Sequence, residues 1–210
     1  SEEELLTKPV LWRGEALGRD RSDKPEYRVK MEVCCCFSNT LNFIEYYHNS
    51  SFLEHGGAPD KAVRSAFVYA IDQYLRQKGK YNKNESKISF ADIENSLVLV
   101  SNGFSNQSLT SYENQTKKAI TNPFIAEAMT DFLKRNLETY FLENPADAEQ
   151  IARQVLINKR SRENAEKTRQ NLKKKLTATM PHCRKPGTMR KAPLTMRLFP
   201  LPLSAEKPIS

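Results

Sequence analysis

The sequence predicts an α+β fold, a sheet packed against helices and followed by one long basic helix. Three observations carry this. Strand-like runs occupy 27–37, 42–48 and 97–100, and amphipathic helical periodicity occupies 60–78 and 122–143. A stretch without helix breakers then runs from Pro145 to Lys175. Runs of strand followed by runs of helix are the pattern of an α+β domain.

Residues 1–26 mix Pro9, Gly14, Gly18 and Pro25 with charges, and read as an N-terminal lead-in segment with little helix. From Tyr27 to Phe37 apolar and polar residues alternate at first, as a half-buried strand requires. Ser38-Asn39-Thr40 is a turn cluster, and the aromatic run Asn42–His48 is a second strand. The two are expected to pair as a hairpin. Gly56-Gly57-Ala58-Pro59-Asp60 ends the sheet and offers Asp60 as a helix N-cap. Ala62, Val63, Ala66, Phe67, Ala70, Ile71, Tyr74 and Leu75 then form one apolar stripe, closed by Lys78-Gly79-Lys80. Ser89 with Asp92 three residues on makes a capping box for a short helix ending at Asn95. Leu97–Val100 is a buried strand, and the polar stretch Ser101–Ser111 is a loop.

Asn122-Pro123 and Asn144-Pro145 each start a helix, with a capping asparagine and proline at the first helical position. At about 1.5 Å per residue, the helix from Pro145 to Lys175 would span about 45 Å. Its apolar positions thin out after Ile157, so its far half is expected to project from the core. The resulting division is a lead-in segment (1–26), a central domain (27–143), a long basic exit helix (144–175) and a proline-rich, aberrant or disordered tail (176–210).

Composition narrows the function classes. With 28% charged residues and a mean hydropathy of −0.66, the chain reads as soluble and cytoplasmic. No apolar run nears the roughly 20 residues of a membrane span. The acidic start Ser1-Glu2-Glu3-Glu4 has the wrong charge for a secretory signal. Cys34, Cys35 and Cys36 are contiguous and lack metal-ligand spacing, so they read as reduced, small core hydrophobes. Residues 151–175 hold nine basic side chains against two acidic ones, and 176–210 hold six against one, while 1–150 is slightly acidic. Such asymmetry fits either a polyanion near the C-terminal arm or a solvated helix face.

Between the strand at 97–100 and the helix at Pro123 lies Tyr112-Glu113-Asn114-Gln115-Thr116-Lys117-Lys118. A lysine gives a mobile point charge and a glutamine a directional donor, a pair suited to a phosphate. By composition alone a plain solvated loop is the other reading.

This stretch resembles the QTK loop of the ATPase (B) subunit of bacterial type IIA DNA topoisomerases, the B subunits of DNA gyrase and topoisomerase IV. Glu54-His55-Gly56-Gly57 with Arg64-Ser65-Ala66 resembles that family's Glu-Gly-Gly turn and following helix. Asn144-Pro145 with Ile151-Ala152 and the basic run to Lys175 is similar to the helix leaving its transducer domain. The resemblance covers about residues 20–175. It implies a ribosomal protein S5 domain 2-like transducer: a mixed sheet with packed helices and a left-handed βαβ crossover. ATP and Mg²⁺ would be held mainly by a preceding domain. Lys117 would contact the γ-phosphate, with Gln115 beside it, and Arg64 would either line the cavity for transported DNA or lie solvated on its helix. Implied partners are DNA, a second copy of the B subunit, and the DNA-cleaving A subunit, with no membrane.

Past Lys175 the family continues into a metal-binding toprim domain with a Glu-Gly-Asp-Ser-Ala signature. No such run follows here, and 177–210 holds a single acid, Glu206. A gene fragment or a frame disruption near Thr177 would account for it. Two other functions are weighed against the topoisomerase: a stand-alone basic module binding nucleic acid or protein, and the equivalent domain of a MutL-type repair ATPase.

Overall fold

The computed structural model describes residues 5–113, 116 and 118–179, without the side chains of Gln107 and 176–179. The chain divides into a compact body, Ser1–Arg169, and a second unit, Gln170–Ser210. The body contains strands β1 (Val10–Gly18), β2 (Tyr27–Phe37), β3 (Phe43–His48), β4 (Ser51–Phe52), β5 (Gly56–Gly57), β6 (Leu97–Ser105) and β7 (Ala119–Ile120). Its helices are α1 (Ala58–Gln77), α2 (Phe90–Glu94) and α3 (Pro123–Glu143), and α4 (Pro145–Thr179) runs on into the second unit. Of that unit, 170–179 are helical, and Gln170–Lys175 are exposed. The helix thus extends four residues past its expected end. The rest of the expected tail, 180–210, lies outside the described residues.

Five strands form one sheet in the order β1-β2-β6-β3-β4, and β5 pairs separately with β7. The mixed sheet of the expected α+β class is present, but the expected hairpin is not. β2 pairs antiparallel with β6, whereas β3 pairs parallel with β6, after a crossover containing α1 and α2. Ser38 is buried and anchors the change of direction: its N–H bonds to Ser96 O at 2.8 Å, and its hydroxyl accepts from the amides of Thr40 and Leu41. The chain therefore steps over one sheet position instead of folding back on itself.

Besides the two-residue strands β4, β5 and β7, two longer strand regions escape local reading. β1 lies within the expected lead-in segment and pairs along its whole length with β2. Gly14 resembles a breaker but is a gap for a neighbour: a Cβ there would lie 2.6 Å from Cε2 of Phe132 on α3. β6 runs to Ser105, so 101–105 is strand and not loop. Ser101 and Asn102 are held by pairing on both sides, Ser101 against Val33 and Tyr46.

The core forms between the sheet and the helices. Val29, Met31, Val33 and Cys35 of β2 and Leu97 and Leu99 of β6 face Ala66, Phe67 and Ile71 of α1 and Met129, Phe132 and Leu133 of α3. Burying each large side chain contributes about 1.5–3 kcal/mol. On the other face of the sheet, Arg13, Glu15, Arg28 and Lys30 are exposed, and Arg13 pairs with Glu32 at 2.9 Å. That alternation is how an antiparallel pair keeps one wet face. Cys35 and Cys36 are buried, Cys34 is exposed, and all three are free thiols.

Several helix ends follow the sequence, and the start of α1 does not. Ser89 N–H bonds Asp92 Oδ2 at 2.8 Å in the expected capping box. Lys80 N–H bonds Leu75 O and Gly79 N–H bonds Arg76 O, closing α1 in a Schellman motif. Asp60 does not cap α1, because the helix starts earlier, with Gly57 as N-cap. Asp60 sits instead in the first turn, accepting from Tyr46 Oη at 3.1 Å and Arg64 Nε at 2.8 Å.

The basic helix is not uniformly solvated. Lys159 is fully buried, with Nζ 3.2 Å from Glu85 Oε1 and 2.9 Å from Glu163 Oε1. Arg160 completes the pairing of Glu85 at 3.0 Å, and Arg162 pairs with the buried Asp92 at 2.7 Å. Arg160 above all holds the Glu85 carboxyl down at about 2. Burial pushes Asp92 up, but Arg162 and Ser89 outweigh it and leave its carboxyl below the usual range. Three of the nine cations thus clamp α4 to the 85–92 segment. Removing one member of a buried set leaves the others unpaired. Lys159→Ala is expected to lower stability by about 3–5 kcal/mol, read as a fall in the urea midpoint, whereas Lys167→Ala on the exposed stretch leaves it within about 0.5 kcal/mol.

Candidate functional site

The loop with the phosphate-suited residues sits on a short stem. Glu113 N–H bonds Ala119 O at 3.0 Å, Thr121 N–H bonds Ser111 O at 3.0 Å, and Tyr112 bridges Ile120. In sequence, residues 114–118 lie between the two sides of this stem. Gln115 and Lys117, the expected phosphate contacts, lie outside the described residues, as does Asn114. Their frame is described.

One side of the stem docks on the head of α1. Gly56 and Gly57 pair in parallel with Ala119 and Ile120, and His55 N–H bonds Lys118 O at 3.0 Å. The Lys118 ammonium pairs with Glu54 and holds that carboxyl below its usual range. Gly57 has φ +77°, and a Cβ on it would overlap Ile120 O and lie 2.6 Å from Ile120 N. The double glycine is therefore the surface on which the loop stem rests.

The other side is held by polar side chains. Asn122 is buried and does not cap α3 with its side chain, as its position before Pro123 suggests. Its amide turns back on the stem: Oδ1 accepts Ser111 N–H at 2.6 Å, and Nδ2 faces Asp20 Oδ2 at 2.7 Å, Leu109 O at 3.0 Å and Tyr27 Oη at 3.1 Å. Asp20 supplies the missing cap from more than 100 residues away, accepting Phe124 N–H at 3.1 Å and the Tyr27 hydroxyl at 3.0 Å. Burial and Asp20 push the Tyr27 phenol well above its ordinary range, so it stays a donor. Neither Asp20 nor Asn122 was singled out by sequence reasoning as a site residue. Only the Asn-Pro pair hinted at a special backbone there.

A third support runs from β3 to the start of the loop region. His48 is buried; its Nε2 lies 2.8 Å from Ser105 Oγ, which lies 2.8 Å from Thr110 Oγ1, which donates to Asn106 O at 3.0 Å. Donation along the whole chain requires the proton on His48 Nε2, leaving Nδ1 as a buried lone pair without a partner. Burial lowers the His48 pKa to about 4 from 6.5. The unfolded chain therefore binds the extra proton between those values, and stability is complete above pH 6.5 and falls as pH drops toward 4. The loss is on the order of 3 kcal/mol. Urea midpoints at pH 7 and 4.5 should differ less for His48→Gln than for the parent chain.

Arg64 lies on α1, about half exposed, paired with Asp60 at 2.8 Å and stacked 4.5 Å over the Phe90 ring. The ion pair and the stacking hold the guanidinium on the surface of the helix. Among the described residues no group of three or more His, Cys, Asp or Glu side chains is placed to hold a metal ion. No described helix is long and apolar enough to cross a membrane.

Comparison with known proteins gives a consistent result. The family model for DNA gyrase B matches residues 2–171. Over 162 residues the chain is 26% identical to the DNA gyrase B subunit of Mycoplasma pneumoniae, covering 76% of this chain and 24% of that protein. Against the corresponding Micrococcus luteus protein the identity is 28% over 151 residues, covering 70% and 20%. The chain thus spans about a quarter of the length of the curated relatives it matches. Its fold is similar to the 43K ATPase domain of Thermus thermophilus gyrase B, solved with an aminocoumarin, with a TM-score of 0.65 and 23% identity over 80% of this chain and 42% of that one.

Proposed function

The chain belongs to the DNA gyrase B family, and from that premise we propose that it is the transducer of an ATP-dependent type II DNA topoisomerase. It would couple ATP binding and hydrolysis in a preceding domain to DNA strand passage. The observation that carries this reading is the stem at 111–121, docked on the double glycine that opens α1. A loop tied to the head of a core helix is placed to convert a contact at its tip into a force on the body. The S5 domain 2-like fold with a left-handed crossover belongs to the same proposal, supported by the parallel β3–β6 pair with helices between.

When bound, ATP supplies a γ-phosphoryl group on which negative charge redistributes during transfer to water. Lys117 would hold that group by charge and Gln115 would orient it by an amide N–H. A cation there favours the transition state and registers whether the phosphate is present. Loss of the contact frees the tip, and the stem passes the change to α1 through β5 and the Lys118–Glu54 pair. Mg²⁺ is assigned to the preceding domain. Arg64, held out from α1 by Asp60 and Phe90, is assigned to a phosphate of the transported DNA, and the exposed cations of α4 to the path toward it. In this reading the subunit works as a cytoplasmic dimer with the DNA-cleaving A subunit, and the chain alone does not hydrolyse ATP.

ATP turnover by the whole subunit, with and without the Lys117 ammonium, tests the proposal. A stand-alone basic module would instead give salt-sensitive DNA binding by this chain alone, indifferent to Lys117. The clamping of Lys159, Arg160 and Arg162 inside the body weakens that alternative.

A further inference from the structure

We propose that Asn122 is the positioning residue for the base of the 111–121 stem, and that with Asp20 and Tyr27 it forms a polar lock setting the register of Ser111 against Thr121. The lock is separate from the double-glycine dock and grips the stem from the opposite end. Asn122 uses both the acceptor and the donor end of its amide in one place. Its single oxygen takes the Ser111 amide, and its two N–H groups are spread over Asp20, Leu109 and Tyr27. Those partners come from three separate pieces of chain: the β1–β2 turn, the start of β2, and the 109–111 segment leading into the stem. Asp20 in turn caps α3 through Phe124 N–H. One side chain therefore ties the sheet, the first turn of α3 and the base of the stem into a single register. Its burial, at 1% exposed, gives it no water to exchange for these partners.

The polarity of the lock makes it testable. An amide is required because it both donates and accepts; a carboxylate of the same shape only accepts. Asn122→Asp would set two carboxylates against each other at the 2.7 Å contact with Asp20 and strand Leu109 O. Adding Asp20→Asn restores one donor and one acceptor across that contact, though not the bond to Leu109.

The test is amide hydrogen exchange on this chain. Asn122→Asp should speed exchange at Ser111, Glu113 and Thr121 by about tenfold or more, with Ala66 and Phe67 of α1 unchanged. Asp20→Asn in the same chain should recover much of the protection. Unchanged protection at the three stem amides overturns the proposal. So does an equal loss at the stem and in α1, because Asn122 would then support the fold at large. So does failure of the second substitution to restore anything. A second readout rests on the reading of Lys117 as the phosphate contact. In the whole subunit, Asn122→Asp should raise the KM for ATP more than it lowers kcat, as expected for a displaced rather than missing group. If Lys117→Ala leaves turnover intact, the phosphate reading fails, while the exchange result still decides the lock.

Discussion

Lys117→Ala in the whole subunit should lower ATP turnover by about 10²–10³-fold, the usual loss when one preorganised donor to a developing oxyanion is removed. The loss should fall mainly on kcat, because the ammonium contributes most where charge accumulates on the transferring oxygens. Gln115→Ala removes a neutral donor and should cost less. Lys118→Ala is the informative control. The two lysines are adjacent in sequence, but the Lys118 ammonium is committed to Glu54 and its carbonyl to His55. Its loss should loosen the stem without removing the cation at the tip, giving a smaller fall in turnover. Equal turnover for Lys117→Ala and the parent protein would reject the assignment.

Gly57→Ala should destabilise the body by about 2–5 kcal/mol, combining backbone strain at positive φ with a steric clash. At φ +77° and ψ −119°, Gly57 sits where only glycine is comfortable, and the added Cβ meets backbone atoms of Ile120 that no rotamer change can move. The β5–β7 pair must open, and with it the dock of the loop stem. Gly79→Ala separates the two causes. Its φ is +60°, but a Cβ there meets nothing within 4 Å, so only the conformational cost of about 1 kcal/mol applies. Thermal or urea unfolding of both variants measures the difference. If Gly57→Ala costs no more than Gly79→Ala, the stem does not rest on the glycine as described.

Strong local signals survive in the structure. The apolar stripe of α1, the Ser89–Asp92 capping box, the glycine stop at 79 and the prolines opening α3 and α4 all stand where local chemistry places them. What failed was pairing. Strand 27–37 reads as a hairpin partner of 42–48 because they are neighbours in the chain, yet β6, which starts only at Leu97, inserts between them. Val10–Gly18 reads as irregular because its glycines look like breakers, when Gly14 is a clearance for the ring of Phe132. Lys159 reads as one more cation on a solvated helix face, and only its meeting with Glu85 allows it inside.

The candidate site divides along the same line. The sequence by itself determined that a Gln-Thr-Lys run follows a strand and precedes a helix opened by Pro123, since those signals depend on residues a few positions apart. Only the tertiary structure decided what holds the stem around that run: a double glycine some 60 residues earlier and an asparagine locked to an aspartate about 100 residues away. A periodic stripe or a helix cap is a property of one segment's backbone. A hydrogen bond between Asn122 and Asp20, or a backbone contact that forbids a Cβ at Gly57, exists only after β2, β6 and α3 have packed.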